Sequence, residues 1–277
     1  MGPIIAATDL SARSDLALRR AAVLAERMGA ALHIVHVIDD DLPAAILQRR
    51  SEEAEVELRA RVQGDAILKA EAPRIDVEAG QVAKLLGRIA ADRGASLVVV
   101  GSHRDRGLAE LVGSPALSRL MRAVAVPILV AVEPATRLYT RAVAGWDFSP
   151  ASTSAMKLAK ALAPLEHVTL LHAWADMVTG APYAVDLASP GQQQRLEEAL
   201  DQAVAGLKAD APDLEVAREA LIAAPAQALI EASASSGADL IVVGRHARAG
   251  LARFLLGETA ERVALHAPCD VLIAPPD

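Results

Sequence analysis

The chain contains the same pattern of residues twice, and this internal repeat restricts its possible folds more than any other feature. In the first copy an apolar run ends in Asp9 and Ser11, and in the second copy an apolar run ends in Asp147 and Ser149. An amphipathic helical pattern follows each run at the same spacing. The repeat therefore predicts two domains of the same fold.

The order of elements within each copy indicates an α/β protein. Each copy reads as strand, helix, strand, long polar helix, short strand, helix, strand, glycine loop, helix and strand. Strands that alternate with helices form parallel sheets with helices on both faces. The apolar runs at residues 97–100 and 240–243 are typical of strands buried on both faces. We expect two tandem open parallel sheets flanked by helices and related by a pseudo-twofold axis.

The boundary between the copies is predicted at residues 133–137, where the sequence Glu-Pro-Ala-Thr-Arg interrupts regular structure. This places a first domain at residues 1–134, a second at residues 138–277, and a short linker at residues 133–138. The segments 39–72 and 175–211 are the most polar and differ most between the copies. They are predicted to be helical excursions over the sheet edges.

Composition and charge argue against two kinds of partner, nucleic acids and membranes. Only 2% of the 277 residues are aromatic, which is too few for the stacking platforms that bind single-stranded nucleic acid. The chain carries 28 basic and 35 acidic residues, and its net charge of −7 repels nucleic acid and anionic membranes. We expect no nucleic-acid partner and no membrane partner.

The sequence is that expected of a soluble, cytoplasmic protein. No apolar run reaches the roughly 20 residues that a membrane span needs, and the first residues do not resemble a secretory signal. The single cysteine, Cys269, excludes an intramolecular disulfide. Because it lies in an apolar run, we expect a buried and unreactive thiol.

No motif for catalysis or metal binding is present in the sequence. It has neither the Gly-x4-Gly-Lys-Ser/Thr motif of P-loop proteins nor the Gly-x-Ser-x-Gly motif of α/β hydrolases. His33 and His36 are an odd number of positions apart on a predicted strand, so they should point to opposite faces. We predict no catalytic residue and no metal site.

Several ordered motifs together resemble those of a known family. They are the Asp that closes the first strand, a strand ending in His-Val, a Leu-Val-Val-Val-Gly-Ser-His loop and a final Pro-Ile-Leu-Val strand. With their counterparts in the second copy, they identify the chain as a tandem member of the universal stress protein family. The resemblance implies a Rossmann-like fold of the adenine nucleotide alpha hydrolase type, with five strands per domain. It also implies ATP at the carboxyl ends of the strands, and Mg²⁺ only where ATP is bound.

Nucleotide-binding members of the family carry a loop that reads Gly-x2-Gly-x9-Gly-Ser/Thr. Its glycines let backbone N–H groups approach phosphates, and the next helix presents its positive end. In the first half, Gly101 matches the first glycine and Arg104 replaces the second. The Arg104 guanidinium could bind phosphate, or its side chain could fill the space that glycine leaves open. A one-residue deletion aligns Gly113 and Ser114 with the final pair, whereas ungapped counting makes Ser114 a helix N-cap before Pro115.

The second half departs further from this loop. Its matching positions are Gly244, Ala247, Gly257, Glu258 and Thr259. A carboxylate at Glu258 would repel a triphosphate and could itself occupy the phosphate site, with Arg245 or Arg248 neutralising it. The hypothesis is therefore that the second half blocks its own site and that ATP binds in the first half only.

Four positions match those that line the adenine and ribose pocket of the family. They are Asp9 and Val37 in the first half, and Asp147 and Ala173 in the second. Asp9 has an alternative role, since either Asp9 or Ser11 could cap the following helix without any ligand.

The family's domains pair through their last strands, which correspond here to residues 127–131 and 271–274. We expect an antiparallel pairing within one chain, which makes the pseudo-dimer intramolecular; a homodimer of whole chains is an alternative.

Two functions of the protein stay open. One is a stress-response regulator that binds ATP, with at most slow incidental hydrolysis, and the other is a nucleotide-free scaffold for a protein partner or a hydrophobic ligand.

Overall fold

The computed structural model describes residues 2–102, 115–174, 190–245 and 257–276. Within these residues the first half follows the predicted order of elements, with one additional short helix. Its elements are β1 (Ile4–Thr8), α1 (Ala12–Met28), β2 (Leu32–Ile38), α2 (Ala44–Gly64), α3 (Ala66–Ala70), β3 (Arg74–Ala79), α4 (Val82–Asp92), β4 (Leu97–Gly101), α5 (Pro115–Ala123) and β5 (Ile128–Ala131).

The second half repeats this order. Its described elements are β6 (Arg141–Gly145), α6 (Pro150–Leu162), β7 (His167–Trp174), α7 (Pro190–Asp210), β8 (Glu215–Ile222), α8 (Pro225–Ser236), β9 (Leu240–Gly244), α9 (Glu258–His266) and β10 (Asp270–Ala274). The polar segments of both halves contain long helices, α2 and α7, as predicted. Residues 175–189 of the second segment lie outside the described residues.

The two halves share one sheet of ten strands, in the order β3-β2-β1-β4-β5-β10-β9-β6-β7-β8. Strands within each half pair in parallel. The last strands pair antiparallel, with Val130 opposite Val271 and Ile128 opposite Ile273. The predicted α/β fold and the predicted pairing are both confirmed, and the pairing joins the two five-stranded sheets into one.

Alternation of side chains along the strands builds two cores, one on each face of the sheet. Ile4 and Ala6 of β1 point to the face covered by α1 and α6, whereas Ile5 points to the face covered by α4, α5, α8 and α9. Each core contains buried residues from both halves. The halves are therefore packed as one unit.

Cys269 lies in the second of these cores. Burial, with a smaller contribution from the nearby Asp270 carboxylate, raises the pKa of its thiol to about 12. The thiol is therefore protonated at neutral pH. The prediction that Cys269 is buried is confirmed, and its low reactivity stays a prediction. No helix in the described part of the chain is long and apolar enough to cross a membrane.

A buried carboxylate connects the linker to both halves. Asp270, at the start of β10, is fully buried. Its Oδ1 accepts the backbone N–H groups of Val132 and Glu133 at 2.7 and 3.1 Å. Its Oδ2 accepts the hydroxyl of Tyr139 and lies 2.8 Å from Nε of Arg20 in α1. Both carboxylate oxygens of Asp270 are therefore hydrogen-bonded, as the burial of a charged group requires.

Tyr139 and Arg20 also contact each other. Cζ of Arg20 lies 4.4 Å from the centre of the Tyr139 ring, in cation–π geometry. Burial, and then the adjacent Asp270 carboxylate, raise the pKa of the Tyr139 hydroxyl well above its ordinary value. Tyr139 thus remains a hydrogen-bond donor to Asp270 at any physiological pH.

Candidate functional site

A cavity of ≈ 180 Å³ lies in the first half, at the carboxyl ends of β1, β2 and β4. This edge is where open α/β sheets bind their ligands. The cavity walls are largely apolar and come from β2, β4, α4 and α5. The wall residues include Val35, Val37, Leu86, Val100, Leu117 and Leu120.

One side of the cavity is polar, and Thr8, Asp9, Ser11 and Ser14 line it. The hydroxyl oxygens of Thr8 and Ser14 lie 2.7 Å apart. Oδ1 of Asp9 accepts the Ser11 backbone N–H at 3.0 Å and the Ser11 hydroxyl at 2.5 Å. The cavity therefore combines apolar walls with a carboxylate at one edge, an arrangement that suits an apolar ligand bearing a few polar groups.

The turn containing Asp9 occurs in both halves. In the second half, Oδ1 of Asp147 accepts the Ser149 N–H, also at 3.0 Å. The residues between them, Leu10 and Phe148, have φ of 65° and 62°. Side chains other than glycine rarely adopt this left-handed conformation. The aspartate bonds thus stabilise a strained turn between the first strand and first helix of each half.

The N-cap of α1 is Ser11 and not Asp9, because the Ser11 side chain accepts the Ser14 N–H at 3.3 Å. Ser149 caps α6 in the same way. Burial raises the pKa of Asp9, but hydrogen bonds from Ser11 and Ser14 outweigh it and hold that pKa below its ordinary value. Asp9 is therefore an anionic acceptor at neutral pH.

His36 and His33 contact separate groups. Nδ1 of His36 donates to the Thr8 carbonyl oxygen at 2.8 Å, and Nδ1 of His172 donates to the Trp146 carbonyl at 2.7 Å. His33 instead lies 3.3 Å from a guanidinium nitrogen of Arg93. The repeated histidine thus ties the second strand of each half to the end of the first.

Gly101 and Gly244 are required by packing, whether or not a ligand binds. A Cβ on Gly101 would lie 2.9 Å from the carbonyl oxygen of Arg13 in α1. A Cβ on Gly244 would lie 2.7 Å from backbone atoms of Ala151 and Ser152 in α6. The sequence motif suggested a phosphate contact for these glycines, and the structure adds the close approach of a helix N-terminus.

The helix after the first-half loop also borders the cavity. Pro115 is the first residue of α5, and Ala116 and Leu117 of its first turn line the cavity. The sequence did not single out Leu117 and Leu120, although their spacing of three is typical of one helix face. The predicted loop residues Arg104, Gly113 and Ser114 lie outside the described residues, as do Ala247 and Arg248 of the second half.

The position of Glu258 contradicts the hypothesis that its carboxylate blocks the nucleotide site of the second half. Glu258 is the first residue of α9, after the N-cap Gly257. Its side chain is 84% exposed and pairs with Arg262 at 2.9 Å. Partners four residues apart lie on the same helix face, so this carboxylate is held in solvent by its own helix.

Of the two arginines expected to neutralise Glu258, Arg245 does not do so, and Arg248 lies outside the described residues. Arg245 is buried, and its guanidinium binds backbone carbonyls of the first half.

Two other predicted residues of the second half are partly accessible. Ala173 is half-buried against the same core as Val37, and Thr259 is half-buried in the first turn of α9.

Leu229 of α8 packs beside the end of β6. Ala7 of β1 lines the cavity, and the matching residue of β6 is Gly145. Leu229 of α8 comes within 3.3 Å of the position that a Cβ on Gly145 would occupy. Leu86, the matching residue of α4 in the first half, is itself a wall of the cavity, so this leucine does not distinguish the two halves.

Among the described residues, Asp39, Asp40 and Asp41 place three carboxylates within 4.8 Å of one another, just after β2. All three are exposed. Solvated acidic groups of this kind are common without an ion, so we assign no metal to them.

The fold and the cavity define an α/β protein with two doubly wound halves on one sheet and a cavity at the strand ends of the first. Residues 1–131 and 138–275 each match the universal stress protein family. The chain belongs to this family, with two of its domains in tandem.

Relatives and solved structures agree over nearly the whole chain. A universal stress protein of Mycolicibacterium smegmatis is 30% identical across 99% of this chain and 97% of its own length. One of Mycobacterium tuberculosis is 28% identical across 98% of this chain and 95% of its own. The crystal structure of a universal stress protein from Archaeoglobus fulgidus superposes with a TM-score of 0.74 at 18% identity, covering 99% of this chain and 98% of that one. This last likeness concerns the fold alone.

Proposed function

We propose that this protein is a stress-response regulator that binds ATP in its first half only. The observation that carries the proposal is the cavity, which brings Asp9, Val37 and Gly101 together beside the first turn of α5. These three residues lie at the ends of β1, β2 and β4, which are distant in sequence. As part of the same proposal, the protein acts in the cytoplasm.

The chemistry of the cavity supports an adenine nucleotide. The valine and leucine walls suit a flat heteroaromatic base, and anionic Asp9 can accept hydrogen bonds from an amino group or from ribose hydroxyls. Backbone N–H groups at the start of α5 provide a favourable environment for phosphates. The proposal assigns phosphate contacts to Arg104, Gly113 and Ser114, with Mg²⁺ present when ATP is bound.

The second half is proposed not to bind nucleotide. The loop of this half departs further from the family pattern, because Ala247 replaces the second glycine and Glu258 stands where Ser or Thr is expected. The Glu258 carboxylate is exposed at the start of α9, where it would repel the phosphates of a nucleotide.

A pair of matched variants tests the proposal. We expect Asp9→Ala to weaken ATP binding at least about 10-fold, since a hydrogen bond to a charged group contributes roughly 1.5–3 kcal/mol. Asp147→Ala should leave the affinity unchanged. Because each aspartate holds the same turn, both variants should lose similar stability, on the order of 1 kcal/mol. Isothermal titration calorimetry and thermal unfolding measure the two effects.

The control separates a ligand contact from a stabilised turn. Equal ATP affinities of the two variants would show that Asp9 acts only through its turn, and the assignment of the site would be wrong. Absence of ATP binding by the wild-type protein up to millimolar concentration would reject the nucleotide proposal and favour the scaffold. Pull-down experiments would then be the next step.

A further inference from the structure

One repeat position has diverged into two different roles. Ser102 and Arg245 each follow the glycine that ends a strand, and their backbones are equivalent. The Ser102 N–H donates to the Ala131 carbonyl at 2.9 Å, and the Arg245 N–H donates to the Ala274 carbonyl at 2.7 Å. Ser102 lines the first-half cavity. The Arg245 side chain instead crosses into the other half.

Arg245 binds the C-terminal end of α5. Its guanidinium donates to the carbonyl oxygens of Met121 at 3.0 Å, Ala125 at 3.1 Å and Val124. The last carbonyls of a helix lack partners within the helix, and a cation there is favoured by the helix dipole. Only 7% of Arg245 is exposed. A buried guanidinium on three carbonyls fixes the position of this helix end.

A second contact holds the middle of the same helix. Glu261 of α9 accepts a hydrogen bond from the Ser118 hydroxyl and lies 3.7 Å from a guanidinium nitrogen of Arg122. α5 has nine residues, and a helix this short is marginal without tertiary contacts. The second half therefore supplies contacts that determine where α5 lies.

The opposite end of α5 borders the cavity, through Ala116 and Leu117. Because the helix moves as one element, displacement at its C-terminus would be transmitted to its first turn. We propose that Arg245 is a positioning residue through which the second half controls the shape and rigidity of the first-half cavity. The part of this proposal that concerns ATP affinity rests on the proposed function. A ligand or partner that draws Arg245 away from α5 would then lower the affinity of the other half for ATP.

Three substitutions in the full chain test this proposal. Arg245→Met removes the three hydrogen bonds and keeps much of the apolar stem, and Arg245→Lys restores a cation. Arg20→Met is the control, since Arg20 is also a buried arginine at the boundary of the halves but binds Asp270 rather than α5. Amide hydrogen exchange is measured by mass spectrometry on peptides covering residues 115–125 and, as the reference, on peptides of α7, which contains neither substituted residue. ATP affinity is measured by calorimetry on the same samples.

We expect Arg245→Met to speed exchange in α5 at least about 10-fold relative to α7, and to weaken ATP binding about 10-fold. Arg245→Lys should recover part of both. Arg20→Met should change neither the exchange of α5 relative to α7 nor the ATP affinity of the folded protein. Equal exchange of α5 in Arg245→Met and wild type would overturn the proposal, whether or not ATP binds.

The remaining outcomes separate the two proposals. Faster exchange in α5 with unchanged ATP affinity would overturn the coupling while leaving the ATP site intact. An equal loss of ATP affinity in Arg20→Met would show a general effect of stability and reject the specific role of Arg245. If the wild-type protein binds no ATP, the proposed function fails, and hydrogen exchange alone decides whether Arg245 positions α5.

Discussion

Replacement of Asp270 by Asn is expected to lower the free energy of unfolding by about 3–5 kcal/mol, because it leaves a buried guanidinium without its counter-ion. The side chain of Arg20 is 5% exposed and that of Asp270 is 0% exposed, so water cannot take over the lost interaction. Asn has nearly the same volume as Asp, so the change removes charge and creates no cavity. Urea unfolding followed by circular dichroism measures the effect.

A double-mutant cycle shows whether the loss comes from the ion pair. Arg20→Met alone should also destabilise strongly, since it leaves the carboxylate of Asp270 buried with one partner fewer. The double variant removes both charges and should be more stable than the sum of the single effects predicts, by about 0.5–3 kcal/mol. Additive effects would mean that the two side chains are not energetically coupled.

Substitution of the strand-end glycines by alanine should be comparably damaging. The Cβ of an alanine would lie 2.9 Å from a backbone atom of α1 at Gly101, and 2.7 Å from backbone atoms of α6 at Gly244. Backbone atoms cannot rotate away as a side chain can. Overpacking costs about 1–3 kcal/mol and occasionally more, and we expect values at the upper end. Gly244→Ala should be the worse of the two because its contacts are closer. Thermal and urea unfolding give both values.

Gly206→Ala is the matched control. Gly206 lies in α7, and a Cβ there would meet nothing within 4 Å. The same chemical change should therefore stabilise the protein by about 0.5–1 kcal/mol, through helix propensity. If Gly101→Ala and Gly244→Ala were as mild as Gly206→Ala, the close packing of α1 and α6 on the strand ends would be refuted.

These glycine contacts affect how nucleotide binding can be tested. Loss of ATP binding in a Gly101 variant would follow from displacement of α1, even if no phosphate touched the loop. The aspartate pair Asp9 and Asp147 avoids this ambiguity, because each side chain holds the same local turn and only Asp9 lines the cavity.

Much of the fold was predictable because its causes are local or repeated. Apolar runs, helical periodicity and the Asp-x-Ser turns occur at matching places in both halves, so each copy supports the interpretation of the other. The resemblance to the family predicted the pairing of the last strands, and β5 and β10 pair as expected. The sequence also pointed to Asp9, Val37 and Gly101, which do line one cavity.

The roles of charged residues were harder to predict because their partners are distant in the chain. Glu258 has a surface partner on its own helix, whereas Arg245 reaches carbonyls more than a hundred residues away. Asp270 lies in an apolar run that gives no sign of a counter-ion, yet Arg20, Tyr139 and the linker surround it.

By itself, the sequence determined the two-domain repeat, the order of strands and helices along the chain, and three of the positions that line the first-half cavity, Asp9, Val37 and Gly101. Periodicity and turn chemistry act within a few residues, so they can be read along the chain. Only the tertiary structure decided which charges are buried and which half supports the other's cavity. Those properties depend on which groups lose water when two surfaces meet, and this is set by three-dimensional packing rather than by any local pattern.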